Sequence, residues 1–101
     1  MSTWAMDDAE RLLVARPRSA QGHIEKSELL CRLHDLDSAY REAERAIELE
    51  PERSIGYEFR AKVHAARGDQ EARIADLTRA IELNPGDDFA RLAYSFLLTQ
   101  L

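Results

Sequence analysis

A seven-residue pattern occurs twice in this chain at a fixed distance. Residues 45–51 read RAIELEP and residues 79–85 read RAIELNP, so six of the seven positions match at an offset of 34 residues. The chain contains three prolines, and Pro17, Pro51 and Pro85 stand on the same period. A period of about 20–50 residues is typical of repeat proteins, in which each supersecondary unit buries its apolar face against the next unit. The chain is therefore predicted to form one continuous array of such units.

Each period is predicted to contain two amphipathic helices. In both units the apolar residues of the second helix recur at intervals of three or four, which places them along one helical stripe. Asp35 and Asp69 stand where an N-cap belongs, because a carboxylate oxygen can accept a free backbone N–H of the first turn. Gly68 suits the left-handed C-cap of the preceding helix, while His34 occupies the same position in the earlier unit and fits it less well. The prolines follow the second helix of each unit and end it.

This pattern resembles the tetratricopeptide repeat, a pair of helices with a period of 34 residues. In the first helix of the second unit, Tyr57 matches the family's aromatic position and Ala61 its small position, and Gly68-Asp69 forms the turn. In the second helix, Leu77 matches the large position and Ala80 the small one, and Pro85 is the closing proline. The matches in the first unit are Ser27, Ala39, Ala46 and Pro51, and the departures from the pattern are His23, Ala43 and Arg73. The resemblance covers nearly the whole chain. It implies an all-α fold, a right-handed solenoid of antiparallel helix pairs.

The predicted organisation is a single domain over residues 1–101, with about two full repeats and a flanking helix at each end. A lone helix of the second type is expected at 4–16, followed by repeats at 18–51 and 52–85 and by a closing helix of the first type at 88–101. Solenoids bury their core between neighbouring units, so the predicted helices are expected to form one layer without a linker.

The composition argues against several classes of protein. The formal net charge of −5 argues against a nucleic-acid binder, which needs clustered Lys and Arg to neutralise phosphates. No apolar stretch approaches the ~20 residues that a transmembrane helix requires, and the N-terminus lacks the basic start and apolar run of a signal peptide. The single cysteine, Cys31, cannot form an internal disulfide, which fits a reducing compartment. The prediction is a cytoplasmic protein without a nucleic-acid or membrane partner.

The chain carries no recognisable catalytic or metal-binding motif. It has neither a glycine-rich phosphate loop nor a nucleophile elbow. Cys31 and His34 share a helical face, but a structural zinc site needs four ligands, and no third group is placed to orient a Cys–His pair. The many carboxylates fall on helix faces, where a solvated surface is the simplest interpretation. We therefore predict no enzymatic activity, no metal and no cofactor.

The resemblance implies that the first helices of successive repeats line a concave surface that binds another polypeptide. The predicted partner-binding residues on that surface are Ile24, Glu28, Ile55, Glu58, Phe59 and Lys62. Some members of the family clamp a peptide's C-terminal carboxylate with Lys, Arg and Asn, but here those positions hold Ile24, Glu28 and Phe59. The predicted partner is therefore a peptide or helix of another protein, apolar with some basic character, bound without catalysis. Packing between helices is an equally good interpretation of Phe59 and Phe96.

The closing helix suggests an alternative function, which is self-assembly. Its apolar side chains leave little polar surface, and no further repeat follows to cover them. The residues predicted to form the self-association surface are Phe89, Leu92, Phe96, Leu97 and Leu101. Large exposed apolar patches usually mark an interface, and a self-complementary patch gives a twofold homodimer most simply. The competing explanation is that the chain is a fragment and that later residues cover this helix.

Overall fold

The computed structural model describes residues 20–100 of the chain. Five α-helices follow one another as consecutive antiparallel pairs, and their bounds are α1 Ala20–Arg32, α2 Leu36–Leu49, α3 Ser54–Arg67, α4 Gln70–Leu83 and α5 Asp88–Gln100. No β-strand occurs in this part of the chain. The array is elongated, with extents of 40 × 26 × 19 Å. These observations confirm the all-α solenoid. The predicted helix at 4–16 and Leu101 lie outside the described residues.

The two predicted N-caps are confirmed. Asp35 precedes α2 and accepts the backbone N–H of Ser38 at 3.4 Å, and Asp69 precedes α4 and accepts that of Ala72 at 3.1 Å. Each carboxylate therefore satisfies a donor that the first helical turn leaves free, and its charge meets the positive end of the helix. The repeated aspartates fix where the second helix of each unit begins.

The C-caps of α1 and α3 share one backbone geometry but use different residues. Gly68 has a φ of 77°, and the N–H of Asp69 reaches back to the carbonyl of His64 at 2.9 Å. His34 has a φ of 62°, and the N–H of Asp35 reaches the carbonyl of Leu30 at 2.9 Å. Glycine adopts this left-handed conformation without a penalty, whereas a side chain with a Cβ is strained there. The cap at His34 is therefore the weaker of the two.

Small residues bring the helices close together. Ala46 and Ala80 occupy the same position in the two repeats and are 2% and 0% exposed, which confirms that both are buried. Gly56 lies where α3 approaches α2 so closely that a Cβ built on it would stand 2.7 Å from Cγ1 of Ile47. Larger side chains at these positions would force the helices apart. The hydroxyl of Ser27 donates to the carbonyl of Ala39 at 2.8 Å, which ties α1 to α2.

A charged pair also repeats with the period and joins the two helices of each unit. Lys26 on α1 lies 3.8 Å from Glu42 on α2. Thirty-four positions later, Arg60 on α3 donates two hydrogen bonds, of 2.8 and 2.7 Å, to Asp76 on α4. His64 lies 3.2 Å from the Asp76 carboxylate. Asp76 is buried, so the guanidinium supplies the compensation that a buried carboxylate requires.

Candidate functional site

The first helices of the pairs, α1, α3 and α5, border two adjoining depressions that we call the groove. The part between α1 and α3 has a volume of about 260 Å³ and is lined by Ser27, Glu28, Cys31, Arg32, Phe59, Lys62 and Val63. The part between α3 and α5 has a volume of about 120 Å³ and is lined by Glu58, Ala61, Lys62, Ala65, Arg73, Leu77, Phe89 and Ala93. Lys62 borders both parts, so the two depressions adjoin at α3.

Lys62 lies between two aromatic rings at the middle of the groove. Its Nζ is 4.3 Å from the centroid of the Phe59 ring and 5.1 Å from that of the Phe89 ring. Both distances are within the range of a cation–π interaction. Phe89 is 48% exposed, so a large apolar side chain from α5 faces solvent at this point. The centre of the groove therefore combines apolar surface with one positive charge.

Glu58 lines the part of the groove between α3 and α5, and its carboxyl group lies beside that of Asp87, just before α5. Burial, followed by a hydrogen bond to Asp87 and the charge of that carboxylate, raises the pKa of Glu58 from 4.5 to about 8, while Lys62 acts in the opposite direction. Asp87 also accepts the backbone N–H of Ala90 at 3.1 Å at the beginning of α5. A carboxyl group with a pKa near 8 is mostly protonated at neutral pH, so Glu58 adds little negative charge to the groove there. This part of the groove is therefore less acidic than its sequence suggests.

Four of the six predicted partner-binding residues line the groove, namely Glu28, Glu58, Phe59 and Lys62. Ile55 lies elsewhere: it packs against the cluster formed by Ala20, Ile24 and Ala46 and borders a mostly polar depression at the other end of α3. Assigning Ile24 to the binding surface was wrong, because it is only 2% exposed and sits inside that cluster. Both residues hold α1, α2 and α3 together.

Several groove residues were not identified as binding residues from the sequence. On α1 these are Ser27, Cys31 and Arg32, of which Cys31 and Arg32 stand three and four positions after Glu28 and share its helical face. The spacing of three and four residues along this face is a signal that could have identified Cys31 and Arg32. The contributions of Arg73 and Leu77 from α4 depend on tertiary packing and carry no local signal.

The outer surface of α5 is apolar, as the sequence indicates. Phe89, Leu92, Phe96 and Leu98 are between 48% and 72% exposed. Leu97 was wrongly included in the self-association surface, since it is 2% exposed and packs in a core cluster with Leu77 and Ala90. One position on a helix corresponds to a rotation of about 100°, so Leu97 and its neighbours on either side face different environments.

Two further observations concern possible chemistry within residues 20–100. No group of three or more His, Cys, Asp or Glu side chains in this range is arranged to hold a metal ion. No helix in the same range is both long and apolar enough to cross a membrane. His34 ends α1 in the left-handed conformation described above and is exposed.

Comparison with solved structures identifies the fold as that of tetratricopeptide repeat domains. The first such domain of Spaghetti (RPAP3), bound to the HSP90 peptide SRMEEVD, aligns with a TM-score of 0.85 at 19% identity over 98% of this chain and 79% of its own. A thermophilic tetratricopeptide repeat protein of Thermus thermophilus aligns with a TM-score of 0.89 at 21% identity, over 97% of this chain and 50% of its own. The tetratricopeptide repeat domain of Arabidopsis OM64 aligns with a TM-score of 0.88 at 15% identity, over 99% of this chain and 83% of its own. No family profile and no curated protein sequence matches the chain.

Proposed function

We propose that this protein is a non-catalytic interaction module that binds an apolar peptide or helix of a partner protein in the groove. The observation that carries the proposal is the aromatic surface of Phe59 and Phe89 on either side of Lys62, in a cleft that crosses three helices. Concave apolar surface with a few charged groups is typical of sites that recognise an amphipathic segment. A cytoplasmic location belongs to the same proposal.

The charge balance of the groove refines the expected partner. Glu28 is paired with Arg32 at 2.9 Å, and burial beside Asp87 raises the pKa of Glu58 to about 8. The lining of the groove therefore carries three cationic side chains, Arg32, Lys62 and Arg73, and only two carboxyl groups, Glu28 and Glu58. This balance does not favour the basic character predicted for the partner. Apolar anchor residues supply most of the expected binding energy, since an exposed ion pair contributes little.

The peptide of the first structural neighbour provides a useful probe. SRMEEVD ends in a carboxylate and is acidic, whereas the positions of the family's carboxylate clamp hold Ile24, Glu28 and Phe59 in this chain. Ile24 is buried and Glu28 is negatively charged, so neither can bind a carboxylate. We expect synthetic SRMEEVD to show no saturable binding to this protein.

A display selection with a random peptide library on the immobilised protein tests the proposal. Enriched peptides should carry two or more apolar anchors and should bind at least about tenfold more weakly to Phe89→Ala, because truncating an exposed aromatic anchor removes a typical hot spot. Leu98→Ala truncates a similarly exposed apolar side chain of the same helix on a different face and serves as the matched control, because its repeat equivalents His64 and Leu30 do not line the groove. Peptides that bind Phe89→Ala and the unmodified chain equally would contradict the groove as the binding site.

A second candidate function is self-assembly, which the exposed apolar side chains of α5 favour. Leu92 is 72% exposed and Phe96 is 58% exposed, although burying a leucine or phenylalanine side chain away from water lowers the free energy. The mass of the protein in solution, measured over a range of concentrations, separates this function from peptide binding by a monomer.

A further inference from the structure

One face of α5 matches a face that is covered in both complete helix pairs. Arg91, Tyr94, Ser95 and Leu98 stand 34 positions after Tyr57, Arg60, Ala61 and His64, and 68 positions after His23, Lys26, Ser27 and Leu30. In α1 and α3 this face meets the second helix of the pair: Ser27 bonds to Ala39, and Arg60 bonds to Asp76. On α5 the equivalent residues Arg91 and Ser95 are exposed, and Leu98 is 49% exposed. Within residues 20–100, no second helix covers α5.

One segment of the sequence has the repeat pattern of a second helix. Residues 2–15, which lie outside the described residues, stand 34 positions before α2. Ala5 and Ala9 occupy the positions of Ala39 and Ala43, both 0% exposed in α2. The segment therefore carries small residues where a second helix must approach a first helix closely. In the sequence, residues 2–15 precede α1 and are therefore separated from α5 by the other four helices.

The charges at the two ends are also complementary. Asp8 occupies the repeat position of Glu42 and Asp76, the two acids that pair with the first helix of their own unit. Arg91 occupies the position of His23, which contacts Glu42. Docked in this register, Asp8 would meet Arg91, and the Ser95 hydroxyl could donate to the backbone carbonyl of Ala5, as the Ser27 hydroxyl does to that of Ala39.

We propose that copies of this chain associate head to tail, with residues 2–15 of one copy completing the helix pair of α5 in the next. This contact is a specific form of the self-assembly named above as the second candidate function. It does not depend on peptide binding, because the face of α5 that carries Arg91, Ser95 and Leu98 is distinct from the groove. Such a contact is heterologous, so it continues into a closed ring or an open superhelix rather than stopping at a twofold dimer. The apolar side chain of Leu98 would be buried in the contact.

Sedimentation velocity over a concentration series tests the contact through a charge exchange. Asp8→Arg and Arg91→Asp should each weaken association at least about tenfold, because each places like charges opposite one another. The chain that carries both substitutions restores an opposite pair at every contact and should recover most of the association. Arg45→Asp makes the same charge change on the exposed face of α2 and should associate like the unmodified chain. Circular dichroism of each variant checks that it is folded.

A mixing experiment separates this arrangement from a symmetric dimer through α5. A tagged Leu98→Lys chain has a blocked α5 but an intact N-terminal segment, so it should still retain the unmodified chain on a column. If the contact were a symmetric one between two α5 helices, the tagged Leu98→Lys chain would not retain the unmodified chain. Phe96→Lys would also break a symmetric contact, but it should leave the head-to-tail contact intact because Phe96 lies outside it. An unmodified chain that stays monomeric at millimolar concentration, or association that neither charge reversal weakens, would overturn the proposal.

Discussion

The Glu58 and Asp87 carboxyl groups meet at the junction of α3 and α5. Asp87 accepts a backbone N–H at the beginning of α5, and the protonated Glu58 donates a hydrogen bond to Asp87. The shared proton allows α5 to pack on α3 without placing two negative charges side by side. Its presence depends on pH because the pKa of Glu58 is about 8.

We expect the free energy of unfolding to decrease as the pH rises from 4.5 to about 8. The pKa of Glu58 is higher in the folded chain than in the unfolded chain, so the folded state binds more protons between these values and loses that stabilisation as the proton leaves. Glu58→Gln keeps a donor for Asp87 without a titrating group and should remove this part of the decrease. Urea unfolding across this pH range measures the effect, with Glu71→Gln on the exposed face of α4 as the control. A Glu58→Gln profile parallel to that of the unmodified chain would contradict the assignment.

The left-handed caps at His34 and Gly68 provide a matched pair of substitutions. We expect His34→Gly to stabilise the protein by about 0.5–1 kcal/mol, because glycine adopts a positive φ without strain. The larger conformational entropy that glycine loses on folding offsets only part of this stabilisation. Gly68→Ala should destabilise the protein by about the same amount. Nothing lies within 4 Å of the position that a Cβ on Gly68 would occupy, so its effect reports backbone strain alone. Thermal unfolding compares both variants, and a destabilising His34→Gly would show that the imidazole makes a contact that outweighs the strain.

At the scale of the helices, the alanine positions determine how closely each pair packs. Ala80 on α4 is 0% exposed, and we expect Ala80→Leu to cost about 1–3 kcal/mol of unfolding free energy because the added atoms have no space. Ala75→Leu adds the same atoms to an exposed position of the same helix and should change stability by less than about 0.5 kcal/mol. Equal unfolding midpoints for the two variants in urea would contradict the observed helix register.

The elements were predictable from the sequence because their signals are local. The 34-residue period, the aspartates before α2 and α4, and the buried alanines all appear in the structure. Gly56 was not identified, although Gly22 precedes it by one period and a glycine repeated inside a helix indicates close packing. The Arg60–Asp76 pair also follows the period, but only the structure shows that the carboxylate is buried.

The candidate site was less predictable because the same repeat position can have different neighbours. Ile24 and Leu92 occupy one position of the repeat, yet Ile24 is 2% exposed and Leu92 is 72% exposed. Ile55 and Phe59 of the following first helix pack around Ile24, and no following helix among the described residues covers Leu92. The contact between Glu58 and Asp87 also joins residues that are distant in sequence. Repeat position therefore predicts the fold well and the binding surface only in part.

At the scale of the whole molecule, the groove and the open face of α5 are two separate surfaces. The groove crosses α1, α3 and α5 and combines the aromatic pair around Lys62 with two charged ends. The open face of α5, defined by Arg91, Ser95 and Leu98, matches a face that is covered in the other pairs. Arg91→Asp should therefore leave peptide binding unchanged while it weakens self-association. One fold would thus provide both a partner-binding surface and an assembly surface.

The groove is the proposed partner-binding surface, and nuclear magnetic resonance tests this most directly. The isotopically labelled Arg91→Asp chain, in which self-association is limited, is titrated with the tightest peptide from the display selection. We expect the largest shifts at Glu28, Phe59, Lys62 and Phe89, because these residues border the groove. Residues on the opposite faces of α2 and α4, such as Arg45 and Glu82, should shift little. Shifts concentrated on α2 and α4, with the groove unchanged, would contradict the account.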